Sequence, residues 1–389
     1  MKNVLPKFQR PLKSTHEPMT NVVHWDKAMD AYDNKAYRTA LIETINYMNP
    51  TLLSGIDTSG NISIVQSQGS AEIQVDISDT TFSVKAPFLK VTDATNKVAL
   101  FRKITEVNFN PLTLAQIHLK EDTLWFGYDT PISMCQPYKV YDVLREICVY
   151  ADDYDDEFVE KYKADFFKES GATPLTNEES EKVWQQIDSI RNEYKAYSAF
   201  FKEKRWDAFQ WDIIVISILK IVNMPYVHGT LRTDIQEYVH NMFNGNIDFN
   251  HRIDKGTNFM QKLCAKSKED IMKDIYHAEA FISLKWRSSV KILQDDAKNR
   301  ENTVNKYLND GDNFSLCYFL QYSFLYTLYN YNVEDVHQNA IYDVLEEVSG
   351  METPAAARKL TKVYHDFLNG TTKTTGSKGK KGLFAKLFG

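Results

Sequence analysis

Between Asn61 and Lys85 apolar and polar residues alternate one for one over two stretches, Ala71–Ser78 and Phe82–Lys85, and no other pattern in the chain narrows the fold so far. Ile73, Val75 and Ile77 alternate with Gln74, Asp76 and Ser78, and Phe82 and Val84 with Ser83 and Lys85. Successive side chains of an extended chain point to opposite faces, so this run reads as strands with one face on a core and the other in water. Gly69 with Ser70, and Asp79 with Thr80, divide it into strands at 61–67, 71–78 and 81–85. The expectation is a three-strand antiparallel meander that Pro87 ends, because proline cannot donate to a ladder.

Helical patterns flank the meander. From Trp25 to Pro50 a helical hairpin is expected, with Ala28 and Tyr32 on one helix and Tyr37, Ala40, Leu41, Thr44, Ile45 and Met48 on the next, turned by Asp33 and Asn34. The spacing of Ala28, Tyr37 and Ala40 resembles a single tetratricopeptide unit, which has no second copy in the chain and so should pack against the neighbouring strands and helices. After the meander a helix fits Asn96–Val107, with Val98, Phe101, Ile104 and Val107 inward, stopped by Asn110 and Pro111. Leu114–Leu119 and Thr123–Tyr128 form a second strand pair around Lys120, Glu121 and Asp122, with Leu124, Phe126 and Tyr128 on one face. A long helix opens at Tyr138 through Val140, Tyr141, Leu144, Ile147 and Cys148, and is expected to continue through Phe158, Tyr162 and Phe166.

Helix, three strands, helix, two strands, helix resembles the fold of type III secretion chaperones and of YbjN-type bacterial proteins. The most similar parts are Phe109, Asn110, Pro111 and Leu112 through Leu124, Trp125 and Phe126, and then Pro137 to Asp156. The resemblance implies a bacterial protein whose first helix mediates dimerisation and whose sheet presents a surface to a partner, while the scattered cysteines lead to the expectation of a reducing cytoplasm. The fold class expected is therefore α+β: an antiparallel sheet of about five strands flanked by helices, then an all-α region.

Gly171, Thr173 and Pro174 suggest a boundary, and the expected organisation is an extended arm at 1–24, the α+β domain at 25–170, a linker at 171–177, a helical domain at 178–368 and a tail at 369–389. Val183, Ile187, Ile190 and Tyr194 make a helical stripe, while Ala280, Leu284, Val290 and Val304 are read into later helices. The charged stretch Asp295–Lys306 reads as a solvated helix. Lys2, Lys7, Arg10 and Lys13 come before any acid, but Pro6, Pro11 and Pro18 interrupt them and no signal-peptide core follows. A helix needs roughly 20 mostly apolar residues to cross a bilayer. Ile213–Val222, bounded by Asp212 and Lys220, is too short and reads as a buried helix or strand. Asn313–Val333 is uncharged but rich in tyrosine and asparagine. Tyr318, Tyr322, Tyr326 and Tyr329 share a helical face, either a half-wet edge of a core helix or an aromatic binding strip, and Leu320, Phe324, Leu325 and Leu328 serve a core.

No catalytic constellation is visible. A net charge of -6 argues against a dedicated nucleic-acid binder. The four cysteines, Cys135, Cys148, Cys264 and Cys317, lie far apart, which suggests neither a zinc site nor a disulfide framework. Cys135 and Cys148 read as small buried residues, and His118 as an exposed one. Asp152, Asp153, Asp155, Asp156, Glu157 and Glu160 crowd together, but a calcium loop counted from Asp153 would have Phe158 where glycine is needed, so a solvated acidic junction is expected. No phosphate-binding glycine loop or nucleophile elbow occurs. Neither a cofactor nor a metal is expected.

Thr, Gly, Ser and Lys dominate residues 370–382, the composition of a tether. Beyond it Leu383, Phe384, Leu387 and Phe388 would share one side of a short helix with Lys380, Lys381 and Lys386 nearby. So short a helix needs a surface to order it, either anionic membrane or a groove on a protein. The chain as a whole is expected to be a non-catalytic protein-interaction module, chaperone-like or a regulatory adaptor, with homodimerisation open. The alternative is a peripheral regulator held at the inner membrane by the tail.

Overall fold

The computed structural model describes residues 4–12, 17–69, 71–167 and 173–372. They form two compact units: Pro11–Arg287, and the residues before Pro11 joined to those from Ser288 onward.

The larger unit opens with α1 (Val22–Asp33) and α2 (Tyr37–Met48), the expected hairpin, turned at Asn34 and at Lys35, whose φ is 62°. β1 (Ile62–Gln68), β2 (Ala71–Ile77) and β3 (Thr81–Lys90) form the meander. α3 (Lys97–Phe109) leads into β4 (Gln116–Lys120) and β5 (Thr123–Pro131). A short 3-10 turn then precedes α4 (Pro137–Tyr162), which has proline in its first turn and Lys163 in the left-handed region at its end. β6 (Asp165–Phe166) completes an antiparallel sheet of strand order β1-β2-β3-β5-β4, with β6 on the end of β3.

The pleat sorts the side chains. Ile62, Ile64, Ile73, Val75, Ile77, Phe82, Val84, Leu124 and Phe126 are buried beneath α4, which supplies Val140, Val143, Leu144, Ile147, Cys148 and Phe158. Ser63, Val65, Gln74, Asp76, Lys85, Trp125 and His118 point the other way and are exposed or half-buried. The fold class is α+β, as the alternation implies.

Several details depart from the expected pattern. Pro87 does not end the meander: β3 runs on to Lys90 through an irregularity between Pro87 and Leu89. The β2 ladder stops at Lys85, so at Ala86 and Pro87 the strand is paired with β5 alone, a position that tolerates a missing donor. α3 turns Leu100, Ile104 and Val107 inward, leaving Val98 and Phe101 at the surface. Phe166 belongs to β6, because α4 stops at Tyr162.

The rest of the larger unit is helical: β7 (Thr173–Pro174), α5 (Asn177–Lys204), α6 (Asp207–Val222), α7 (Gly229–Phe243), α8 (Phe249–Ala265), α9 (Lys268–Met272) and β8 (Tyr276–His277). Thr176 and Glu179 form a capping box that starts α5. These helices group with the sheet instead of separating from it at 171–177. Thr173–Pro174 pairs with Tyr276–His277, and the irregular segment after β8 crosses the sheet domain. There Gly69 N donates to Glu279 O, Asn49 Nδ2 to Phe281 O and Arg145 Nη2 to Leu284 O, while Phe281 and Ile282 enter the sheet's core. Ala280 and Leu284 therefore lie on a strap and not in helices.

The smaller unit holds α10 (Val290–Asn299), α11 (Glu301–Asn309), α12 (Asn313–Asn330), α13 (Asp335–Glu347) and α14 (Thr353–Leu368). Within the expected extended arm, residues 5–10 pack in this unit: Leu5 and Phe8 are buried, Phe8 N donates to Ser349 Oγ at 2.6 Å and Arg10 reaches Asp343 at 2.6 Å. On α12 Leu320, Phe324, Leu325 and Leu328 are buried, with Tyr318 fully enclosed and Tyr322, Tyr326 and Tyr329 half-buried, as a core helix with a wet edge requires. No helix among the described residues is long and apolar enough to cross a membrane.

Candidate interaction surface

The two edges of the sheet are treated differently. At β4 the side chain of Asn108, on α3, takes the place of a further strand: Nδ2 donates to Ile117 O at 3.0 Å and Oδ1 accepts from Ile117 N at 2.7 Å. A few residues upstream, Glu146 on α4 accepts from the amides of Thr113, Leu114 and Ala115, fixing the entry to the strand. From Thr113 to Ile117 that edge is closed.

At β1 nothing equivalent occurs. Among the described residues its backbone pairs with β2 and with no other strand. Coverage begins only at its end, where Gln68 Oε1 accepts from Ile282 N at 3.0 Å. Its residues, Ile-Ser-Ile-Val-Gln-Ser-Gln, include no charge and no proline, and its ladder with β2 is unbroken. Edge strands are normally blunted by lysine, proline, bulges or shortness, since a free row of N–H and C=O groups templates pairing. β1 has none of these, and Val65 at its centre is 56% exposed on the outer face. The absence of charge from 61 to 69, beside charged neighbours in β2 and β3, is the signal that could have marked this strand from sequence.

α3 adds a second apolar feature. Val98, Phe101 and Phe109 fall on one side of the helix, and Phe109 is 89% exposed.

Several side chains that carry chemistry are buried or paired. Burial pushes the Cys135 thiol up to about 12 against the weaker pull of Lys139, and Cys317 likewise to about 12, so neither is a ready thiolate. Cys148 is buried among the core residues of α4, and His118 lies exposed, both as expected. His228 stacks on Tyr276, and burial together with Arg232 lowers it to about 3, far from the value a base working near neutrality needs. Burial would raise Glu17, but Lys285, Arg232, the Ser283 hydrogen bond and His228 together hold it below its ordinary range. In the acidic run Asp155 is buried and Glu157 pairs with Lys161 at 3.0 Å, whereas the side chains of Asp152, Asp153 and Asp156 lie outside those described. Among the described residues no three His, Cys, Asp or Glu side chains come together as a metal set. Lys380, Lys381, Leu383, Phe384, Lys386, Leu387 and Phe388 also lie outside the described residues.

No family model, curated protein or solved structure matches this chain. The class the geometry itself defines is an α+β protein whose antiparallel sheet, among the described residues, has one covered face, one edge closed at Ile117 and one open edge along β1.

Proposed function

We propose that the chain is a protein-interaction module, chaperone-like or adaptor in role, which receives an extended segment of a protein partner along β1. The observation that carries this reading is the open, uncharged edge of Ile62–Gln68. In strand addition the main chain supplies affinity through the ladder, and alternate side chains supply selectivity. Val65 would give the incoming strand an apolar contact, while Ser63 and Ser67 leave room beside it. The resemblance to secretion chaperones, whose sheet meets a partner, points the same way.

The test is capture by the immobilised full-length chain, compared with V65K and with Q116K, which places the same charge on the strand at the closed edge. Partners should be retained by the parent and by Q116K and lost by V65K. Equal recovery by all three proteins would overturn the reading. Light scattering of the purified chain distinguishes a second copy from a different protein as the occupant.

A further inference from the structure

Gln68 and Ala71 are the last partners of the β1–β2 ladder, with two residues between them. A turn that short closes through a bond from the carbonyl of its first residue to the amide of its fourth, so Gln68 is bonded to β2. Bonded and unbonded positions alternate along an antiparallel strand. Gln66, Ile64 and Ile62 therefore also turn their backbone groups to β2, while Ser67, Val65 and Ser63 turn theirs to the open side. The side chains of these three lie on the outer face, where Val65 is exposed and Ser63 Oγ donates to Asp76 Oδ1 at 2.7 Å.

Ser63 and Ser67 stand at equal distances either side of Val65, so the open edge is its own complement. When a second β1 runs antiparallel to the first about a dyad at Val65, Val65 faces Val65 of the other copy, and Ser63 faces Ser67. The outward backbone groups of one strand then meet those of the other, and each facing pair exchanges both N–H···O bonds. No charge opposes a like charge, since residues 61–69 hold none. Val65 gains an apolar neighbour, and the serine hydroxyls meet each other. The dyad also ends the assembly at two, because each copy covers the other's edge. A head-to-tail stack of sheets is blocked on the far side, where Asn108 occupies both backbone groups of Ile117.

We infer that β1 pairs with β1 of a second copy of this chain, Ser63 against Ser67 across a dyad at Val65, an occupant that follows only if β1 is the receiving strand proposed for this protein. Self-pairing protects an uncharged edge that lacks proline and bulge from indiscriminate strand addition. From Ser63 to Ser67 the edge is roughly 14 Å long at about 3.4 Å per residue. That is short for a stable interface, so the dimer belongs to the weak class and dissociates on dilution. In the dissociated chain β1 is open to another protein.

Sedimentation of the full-length chain over a dilution series, with cross-linking of variants carrying one added cysteine by a short bis-maleimide, tests this. A monomer–dimer equilibrium is expected. V65K, which sets two lysines face to face at the dyad, should weaken dimerisation about tenfold or more, whereas Q116K should leave it unchanged. V65C should link to itself. S63C and S67C should each fail to link alone, because each lies roughly 14 Å from its own counterpart, and should link when mixed. The parent chain controls for Cys264, a native thiol that is only half-buried. A chain that stays monomeric at every concentration overturns the inference; if it still captures other proteins through a V65K-sensitive edge, β1 remains a receiving strand with a foreign occupant. A dimer indifferent to V65K, or one in which S63C links to itself, also overturns it.

Discussion

Lys220 on α6 and Glu193 on α5 meet at 2.9 Å, with side chains only 3% and 17% exposed. Burial lowers the lysine against the opposing pull of Glu193, so the pair balances desolvation against attraction. Breaking such a pair from one side typically costs about 3–5 kcal/mol. E193Q should lose stability on that scale in urea unfolding, and K220M should lose less, because the carboxylate it leaves is the more exposed of the two. Asp212 differs: burial pushes its carboxyl from an ordinary 3.8 up to about 8. The folded chain therefore keeps a proton that the unfolded chain gives up, and the stability it contributes falls as pH rises through the window between those two values. D212N should flatten this slope, matching the parent at the acidic end and exceeding it above the upper value, as read from urea midpoints across the range. None of this was legible in the sequence. Lys220 and Asp212 read as the charged ends of an apolar run, and only α5 folding against α6 encloses the lysine.

Among the helices and strands, periodicity located each element well but failed where two answers were equally apolar. α3 has two apolar stripes, Val98 with Phe101 and Leu100 with Ile104 and Val107, and its packing against α4 and β4 decides which is buried. Pro87 was misread because its effect depends on whether a neighbour occupies that side of the strand. Asn108 closes the β4 edge through two hydrogen bonds that no local pattern announces. N108A should cost about 1–3 kcal/mol by leaving the Ile117 backbone groups unpaired, and should speed amide exchange at Ile117. Unaltered exchange there would show that the edge is held by something else. In α8, a methyl group at Gly256 would meet Ile214 Cγ2 at 2.8 Å and Met242 Sδ at 2.9 Å. The helix-propensity gain of G256A, about 1 kcal/mol, is therefore outweighed by overpacking, typically about 1–3 kcal/mol, and its thermal midpoint should fall.

Across the full chain, composition and alternation were sufficient for the α+β class and for a sheet of about this size. The grouping of α5 to α9 with the sheet was not visible, because it depends on the strap from Glu279 to Leu284 bonding to residues more than a hundred positions away. The candidate site was legible only in outline: the pattern identified the strands, but which strand lies at an edge, and which edge is closed, depend on pairing over long distances. If β1 receives a partner, it must be open in the free chain and filled in a complex. Amide exchange along Ile62–Gln68, measured on the chain alone and again with a captured partner, tests this. In an antiparallel ladder alternate residues turn their N–H groups away from the neighbouring strand, so alternate β1 amides should exchange quickly in the free chain and slowly in the complex. Uniform protection in the free chain, or no change on binding, would contradict it.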